Sequence, residues 1–385
     1  MTNQTRQKRT TTPTRERRRE ALQQLDERRA WRQTQWSRRN RSAAWLIEDA
    51  MRTAGATQSF VKPLRPARCG WPIGRTSVQL VDGKASVRNL EHCASPWACP
   101  VCSTIIRAQR ANDLQHAADS WIEQGHGLLF ATLTRPHTKT EPLTVGMDIV
   151  DHAWSDMAAS QRWRTIKTRH GIRHWVRSIE ITYNPRSGWH VHVHALMFAD
   201  RMSPDARGLQ RELLELWNTT IQRHGSRPAS KRHGVIVLPV QATPGKVGRY
   251  MSKSPDRIGS EITRMDNKTG RGTSLAPFQL LDPDTIARLG DDVARRLWLE
   301  YVTTTRGQRS ITWSRRLRAE LVGGSEQTDR QIIDNTLQGV PILEIPNQTY
   351  RKLKREPSVL GFILSRIETG EVPLAETIIA STQNA

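Results

Sequence analysis

Residues 189–198 read WHVHVHALMF, and within them His190, His192 and His194 alternate with Val191, Val193 and Ala195. In a strand, a period of two puts the three imidazoles on one face and the apolar residues on the other. Upstream, residues 175–183, WVRSIEITY, read as a second strand, and the NPRSG between the two carries turn chemistry. A hairpin with its loop at 184–188 pairs Tyr183 with Trp189, sets Glu180 opposite His192 and sets Thr182 opposite His190. One carboxylate then faces the histidines. His192, His194 and Glu180, with His190 as a further candidate, form a mixed nitrogen and oxygen donor set that suits Mn2+, Mg2+ with retained waters, or zinc. The inference depends on register, because a slip of one residue turns Glu180 to the far face. The competing reading is structural, with neutral histidines decorating the solvated face of an edge strand.

The elements that must carry this hairpin point to an α+β fold. Residues 127–134, GLLFATLT, form an apolar, β-branched run that reads as a buried strand, and 235–240, VIVLPV, as another. Helices are expected at 43–54, 103–124, 147–170, 205–222 and 282–301. The arrangement predicts an antiparallel sheet of about five strands with helices on one face and the histidines on the other. By composition the chain falls into a basic helical arm (1–60), a Cys-rich segment (61–110), a core (111–320) and a C-terminal extension (321–385) with no interpretable motif.

Charge narrows the partner. Lys and Arg number 59 against 37 Asp and Glu, a formal charge of +22, which exceeds what solubility needs and implies a polyanion. Residues 1–41 alone hold thirteen Lys or Arg against four acids, with Trp31 and Trp36 interleaved, as in an arm that contacts nucleic acid; a solvated tail is the alternative. DNA is therefore the expected partner. No run of about 18 apolar residues is present, so no membrane partner is expected, and the absence of an apolar N-terminal run predicts a cytoplasmic protein.

The four cysteines are Cys69, Cys93, Cys99 and Cys102. Cys99-Pro-Val-Cys102 is a tight thiolate pair, and four clustered cysteines with none to spare fit one structural Zn2+ better than disulfides. His92 is a substitute ligand. Among the four tyrosines, only Tyr250 lies in a short basic segment, with Lys246, Arg249 and Lys253 around it between Pro244 and Pro255. A phenol that attacks a phosphodiester needs such cations, although a Tyr on a basic helix more often packs or contacts phosphate.

Taken in order, FATLT at 130–134, EITYN at 180–184, HVHVHALMF at 190–198 and RYMSKS at 249–254 resemble the rolling-circle replication initiators of small bacterial plasmids. These belong to the HUH endonuclease superfamily, and the cysteine segment and a later TRGQRSITWSRRLR are similar to the actinobacterial type. The resemblance covers roughly residues 90 to 315. It implies that His192 and His194 are the paired metal ligands and His190 an addition that either completes coordination or bonds the phosphate. It further implies that Tyr250 is the nucleophile with Lys253 beside it, and that a divalent cation assists transesterification to a 5′-phosphotyrosyl DNA and a 3′-hydroxyl primer. Single-stranded or hairpin origin DNA, a host helicase and a DNA polymerase are then the expected partners. Some relatives carry a glutamate four residues before the tyrosine, where this chain has Lys246; termination then falls to a distant acid or to a second subunit's tyrosine, which leaves a homodimer open. A transposase or relaxase of the same superfamily and a non-catalytic, zinc-stabilised DNA-binding regulator are the alternative readings.

Overall fold

Residue pattern changes halfway along β5 (Gly188–Ala199), where strict alternation gives way to the continuous apolar run Ala195–Ala199, all buried. A strand covered on both faces reads as continuously apolar, whereas one covered on a single face alternates. The computed structural model shows this change. It describes residues 15–54, 64–202, 204–240, 273–336 and 339–384.

β5 is the centre of a five-stranded antiparallel sheet of order β6-β3-β5-β4-β7, with β3 Gly127–Leu133, β4 Ile172–Asn184, β6 Val235–Val240 and β7 Ile311–Trp313. One face is covered by α3 (Leu143–Ala159), α4 (Gln161–His170), α5 (Ala206–Arg223) and α7 (Asp291–Thr304). Met147, Val150, Trp154, Trp163, Leu213, Trp217 and Trp298 from these helices meet Leu129, Ala131, Val193 and Ala195 of the sheet in the main core. Burial of such side chains contributes on the order of 2 kcal/mol each, so this layer dominates the stability of the sheet.

Helices on one face only were expected, and here the structure differs. α2 (Pro100–Glu123) and the short α8 (Leu317–Leu321) lie on the histidine face, where Leu114, Ala117 and Trp121 pack on Phe130, Leu196 and Phe198. They cover the far end of that face. The histidine half of β5 keeps its alternating pattern of burial.

Two expected helices are broken by caps. The helix anticipated at 147–170 is α3 and α4, separated at Ser160, whose hydroxyl accepts the Trp163 amide at 3.0 Å as an N-cap. The one at 282–301 is α6 (Pro283–Leu289) and α7, separated at Gly290 with φ +87°. The helix expected at 43–54 is the end of a 40-residue α1 (Arg15–Ala54).

The chain separates into two compact units that cut across the linear division drawn from composition. The five-stranded sheet belongs to the unit formed by Arg41–Cys69 and His92–Leu337. The other unit takes the described residues of Met1–Asn40, Gly70–Glu91 and Gln338–Ala385. Its antiparallel sheet β2-β1-β8 joins β1 (Pro72–Val81) and β2 (Lys84–Leu90) to β8 (Val340–Ile345). Tyr350, Leu353, Leu360, Ile363 and Leu364 from α9 (Asn347–Arg355) and α10 (Pro357–Glu368) fill its core with Val78 and Val87. Basic residues of α1 are partly structural here, since the buried Glu368 takes Arg32 at 2.6 Å, Arg28 at 3.1 Å and the Ala85 amide at 2.8 Å.

Candidate metal centre

Cross-strand pairing in the β4–β5 hairpin sets Glu180 opposite His192, Thr182 opposite His190, and Tyr183 opposite Trp189. This is the register expected from the loop. Period two then brings the side chains of Glu180, His192 and His194 to one face, where their nearest donor atoms all lie within 4.8 Å of one another. Glu180 Oε2 contacts Nε2 of His192 and lies 2.9 Å from Nε2 of His194. His194 is held from behind, because its Nδ1 lies 3.1 Å from the Thr132 hydroxyl on β3, and Phe130 packs beside its ring at 5.1 Å between centroids. Partnering Nδ1 in this way leaves Nε2 to face the carboxylate.

The electrostatics agree with a cation-binding group. Burial would raise Glu180, but hydrogen bonds to His192 and His194 and their charge outweigh it and hold the carboxyl well below its usual range. Burial, with the charges of His192 and His137, pushes His190 down to about 3. The donor set is therefore a carboxylate with two imidazole nitrogens converging on one oxygen, and the same atoms fit a divalent cation. The third histidine, His190, lies outside this cluster, with its ring 5.0 Å from that of His192.

A second candidate centre is built from sulfur. Cys69, Cys93, Cys99 and Cys102 are all buried and unbridged, with Sγ separations of 3.7 Å for Cys69–Cys102 and Cys93–Cys102 and 3.5 Å for Cys69–Cys99. A tetrahedral zinc with Zn–S bonds of about 2.3 Å requires sulfurs about 3.8 Å apart, so the four thiols are spaced to hold such an ion. Cys99 caps α2, and its sulfur receives the Cys102 amide at 3.5 Å, which fixes the Cys-Pro-Val-Cys turn. Hydrogen bonds with Cys102, Cys93 and Cys99 draw the Cys69 thiol down, while the contact with Cys102 and burial push Cys93 up, and the contact with Cys69 and burial push Cys102 up. His92 sits at the rim, its Nδ1 3.9 Å from Cys102 Sγ, outside the four-thiol group.

Tyr250 and Lys253, expected at the reaction centre, lie outside the described residues. The described chain resumes at Thr273, and Leu275 then forms a two-hydrogen-bond bridge with Tyr183 beside the hairpin. Sequence reasoning did not single out Thr132 as the support of His194; the alternating TLT of β3 was the available signal. It also passed over His137, whose ring lies 4.9 Å from that of His190.

Residues 84–219 match the model of a family described as Replication protein. "Protein rep" of Streptomyces lividans is 26% identical over 312 residues, covering 65% of this chain and 68% of that protein. Over these stretches the chain is similar to replication proteins. A protein of Streptomyces cyanogenus named "Neomycin resistance protein" is also similar, 28% identical over 153 residues that span 34% of this chain and 35% of that one. No solved structure matches. The segment matched to the replication-protein family holds Glu180, all three hairpin histidines and three of the four cysteines, and ends before Tyr250. Within the described residues no helix is long and apolar enough to cross a membrane.

Proposed function

We propose that this replication protein starts plasmid copying by nicking one strand of origin DNA through tyrosine transesterification. The observation that carries the reading is the convergence of His192 and His194 on Glu180 from matched positions of one hairpin, in a chain of this family. In the proposed step the Tyr250 phenol oxygen forms a bond to the scissile phosphorus, and the bond to the 3′ oxygen breaks. The phenol proton passes to solvent and the departing 3′ oxygen takes one up, which leaves a 5′-phosphotyrosyl DNA and a 3′-hydroxyl from which a polymerase extends. A divalent cation, Mn2+ or Mg2+, held by Glu180, His192 and His194 would supply Lewis-acid polarisation of the phosphate. Glu180 orients both imidazoles, Thr132 fixes the ring of His194, and Lys253 offsets developing negative charge. The buried thiols, with Zn2+, brace the start of α2 and have no part in the chemistry.

Incubation of the protein and Mn2+ with single-stranded oligonucleotides tiled across the replicon's own origin tests this reading. A covalent adduct mapped to Tyr250, absent in Tyr250→Phe with DNA binding retained, is the expected result. DNA binding with no cleavage and no adduct would instead favour the zinc-stabilised regulator.

A further inference from the structure

A cavity of about 260 Å3 opens at the β7 edge of the five-stranded sheet, and neither the metal group nor the thiols use it. Ile311 of β7 and Arg110 of α2 line it, together with Arg309, Ser310, Glu326 and Asp329. Ile311 stands opposite Ser178, two residues before Glu180 on β4, and packs in the core of the histidine face. Two residues of strand cover about 7 Å, so the cavity lies a short step along the sheet from the Glu180/His192/His194 group.

The walls of this cavity are fixed by the fold. The Arg110 side chain, only 7% exposed, donates from Nη1 to Glu326 at 2.7 Å. From Nη2 it donates to the Gln327 carbonyl at 2.7 Å and to Asp329 at 3.2 Å, which ties the 326–329 segment to α2. That segment runs into the helix Asp329–Thr336, whose Ile332 and Ile333 pack with the four thiols. At the β7 end, Trp97 Nε1 donates to the Gln308 carbonyl at 2.8 Å and holds the turn that carries Arg309 and Ser310. Arg110 Nε is buried with no hydrogen-bond partner among the described residues. An unpaired buried donor is costly, so this wall is short of one acceptor.

Charge decides what such a cavity takes. Arg110 and Arg309 are matched by Glu326 and Asp329, and the other lining residues are uncharged, so neither an anion nor a cation is favoured. What the walls offer is hydrogen bonding. The two carboxylates keep lone pairs beyond those that Arg110 uses, and the Ser310 hydroxyl and Arg110 Nε supply donors. A neutral group with donors and acceptors of its own fits, and the space falls below the roughly 300–1,000 Å3 of sites for larger ligands. The surroundings are different. Arg306 and Arg309 before β7 and Arg315 and Arg316 after it are exposed, and none has an ion-pair partner among the described residues. A neutral, hydrogen-bonding head on an anionic backbone is the make-up of a nucleotide in a strand, with the base in the cavity and the phosphates on the arginines.

We propose that this cavity takes one unpaired nucleobase of the origin strand, close to the scissile phosphate, and selects a base that carries an exocyclic amino group. Glu326 and Asp329 accept from that group, as carboxylates do from cytosine N4, and thymine has no amino group to offer. Arg309 holds a phosphate of the same strand. The inference rests on the nicking reading above and adds sequence selection to it, at residues apart from the histidine group.

The test is binding of single-stranded origin oligonucleotides by the full-length Tyr250→Phe protein, with thymine or an abasic residue placed in turn at each position near the scissile phosphate. For the parent, one position that bears adenine, cytosine or guanine is expected to lose about tenfold with either replacement, the scale of one good base contact. Glu326→Gln keeps the size of the side chain but presents an amide donor, so it should largely remove the thymine penalty at that position and at no other. Arg309→Ala should weaken every oligonucleotide alike and lower the slope of log affinity against log salt by about 0.7, the share of one single-strand phosphate. Mn2+ affinity and melting temperature should match the parent in both variants. If no position is sensitive, if Glu326→Gln keeps the full thymine penalty, or if Arg309→Ala leaves the salt slope unchanged, the proposal is overturned. A wild-type protein that forms no adduct refutes the nicking reading itself, whereas adduct formation with no base-selective position refutes this inference alone.

Discussion

Glu180 Oε2 lies 2.9 Å from Nε2 of His194, although the residue directly across from His194 is Ser178. The carboxylate reaches diagonally past its own partner, His192, and one oxygen serves two imidazoles. Such diagonal neighbours in an antiparallel pair lie within reach of long side chains. The acid is therefore what makes two histidines, spaced two apart on one strand, act as one donor set.

Replacing Glu180 with Gln should separate that role from packing. The amide keeps the size of the side chain and loses its charge, so the fold should persist while Mn2+ affinity falls at least tenfold, since even outer supports of metal ligands are worth about 10- to 100-fold. Calorimetric titration of Mn2+ reads the effect, and an unchanged affinity would remove Glu180 from the ligand set.

Thr132→Val asks whether the support behind His194 matters. Valine matches the shape of threonine but cannot bond Nδ1, 3.1 Å from the hydroxyl in the present structure. Mn2+ affinity should fall roughly tenfold, with strand pairing and circular dichroism unaltered. Equal affinities for the two proteins would mean that strand geometry alone orients the ring.

The four thiols should retain about one zinc per chain through purification, and Cys102→Ser, at the most buried of them, should lose it. Structural zinc contributes on the order of 10 kcal/mol to small folds that depend on it, so the melting temperature should drop steeply as well. Elemental analysis paired with thermal melting checks both, and a zinc-free wild type as stable as the metal-loaded protein would leave the cluster as packed thiols.

Legibility in the sequence followed the range of the forces involved. The register of β4 and β5 was readable because a short turn closed by Asn184 and Gly188 and alternating side chains fix it locally. The break at Ser160 was not, since Trp154, Met157, Trp163 and Ile166 continue an apolar rhythm across a cap that acts through one hydroxyl. α1 carries no apolar stripe long enough to announce 40 residues of helix. Pairing of β1 with β8 joins Thr76 to Ile345, and no local pattern reports a contact across that much chain. His137 follows Pro136 in a loop, where periodicity carries no signal, so only the folded hairpin shows what it stands beside.

Gly188 offers a test of that loop placement that does not touch any histidine. Its φ of +84° strains any L side chain, at about 1 to 3 kcal/mol, and an added methyl would also meet the Lys139 carbonyl. Gly225 has a closely similar φ of +82°, yet a Cβ there has nothing within 4 Å. Comparing Gly188→Ala with Gly225→Ala by urea unfolding therefore cancels the backbone cost and leaves the loop contact. Gly188→Ala should be the less stable of the two, because the loop must shift off the hairpin tip to admit the methyl. Matching losses in stability would show that the 134–142 loop leaves the hairpin tip at no cost.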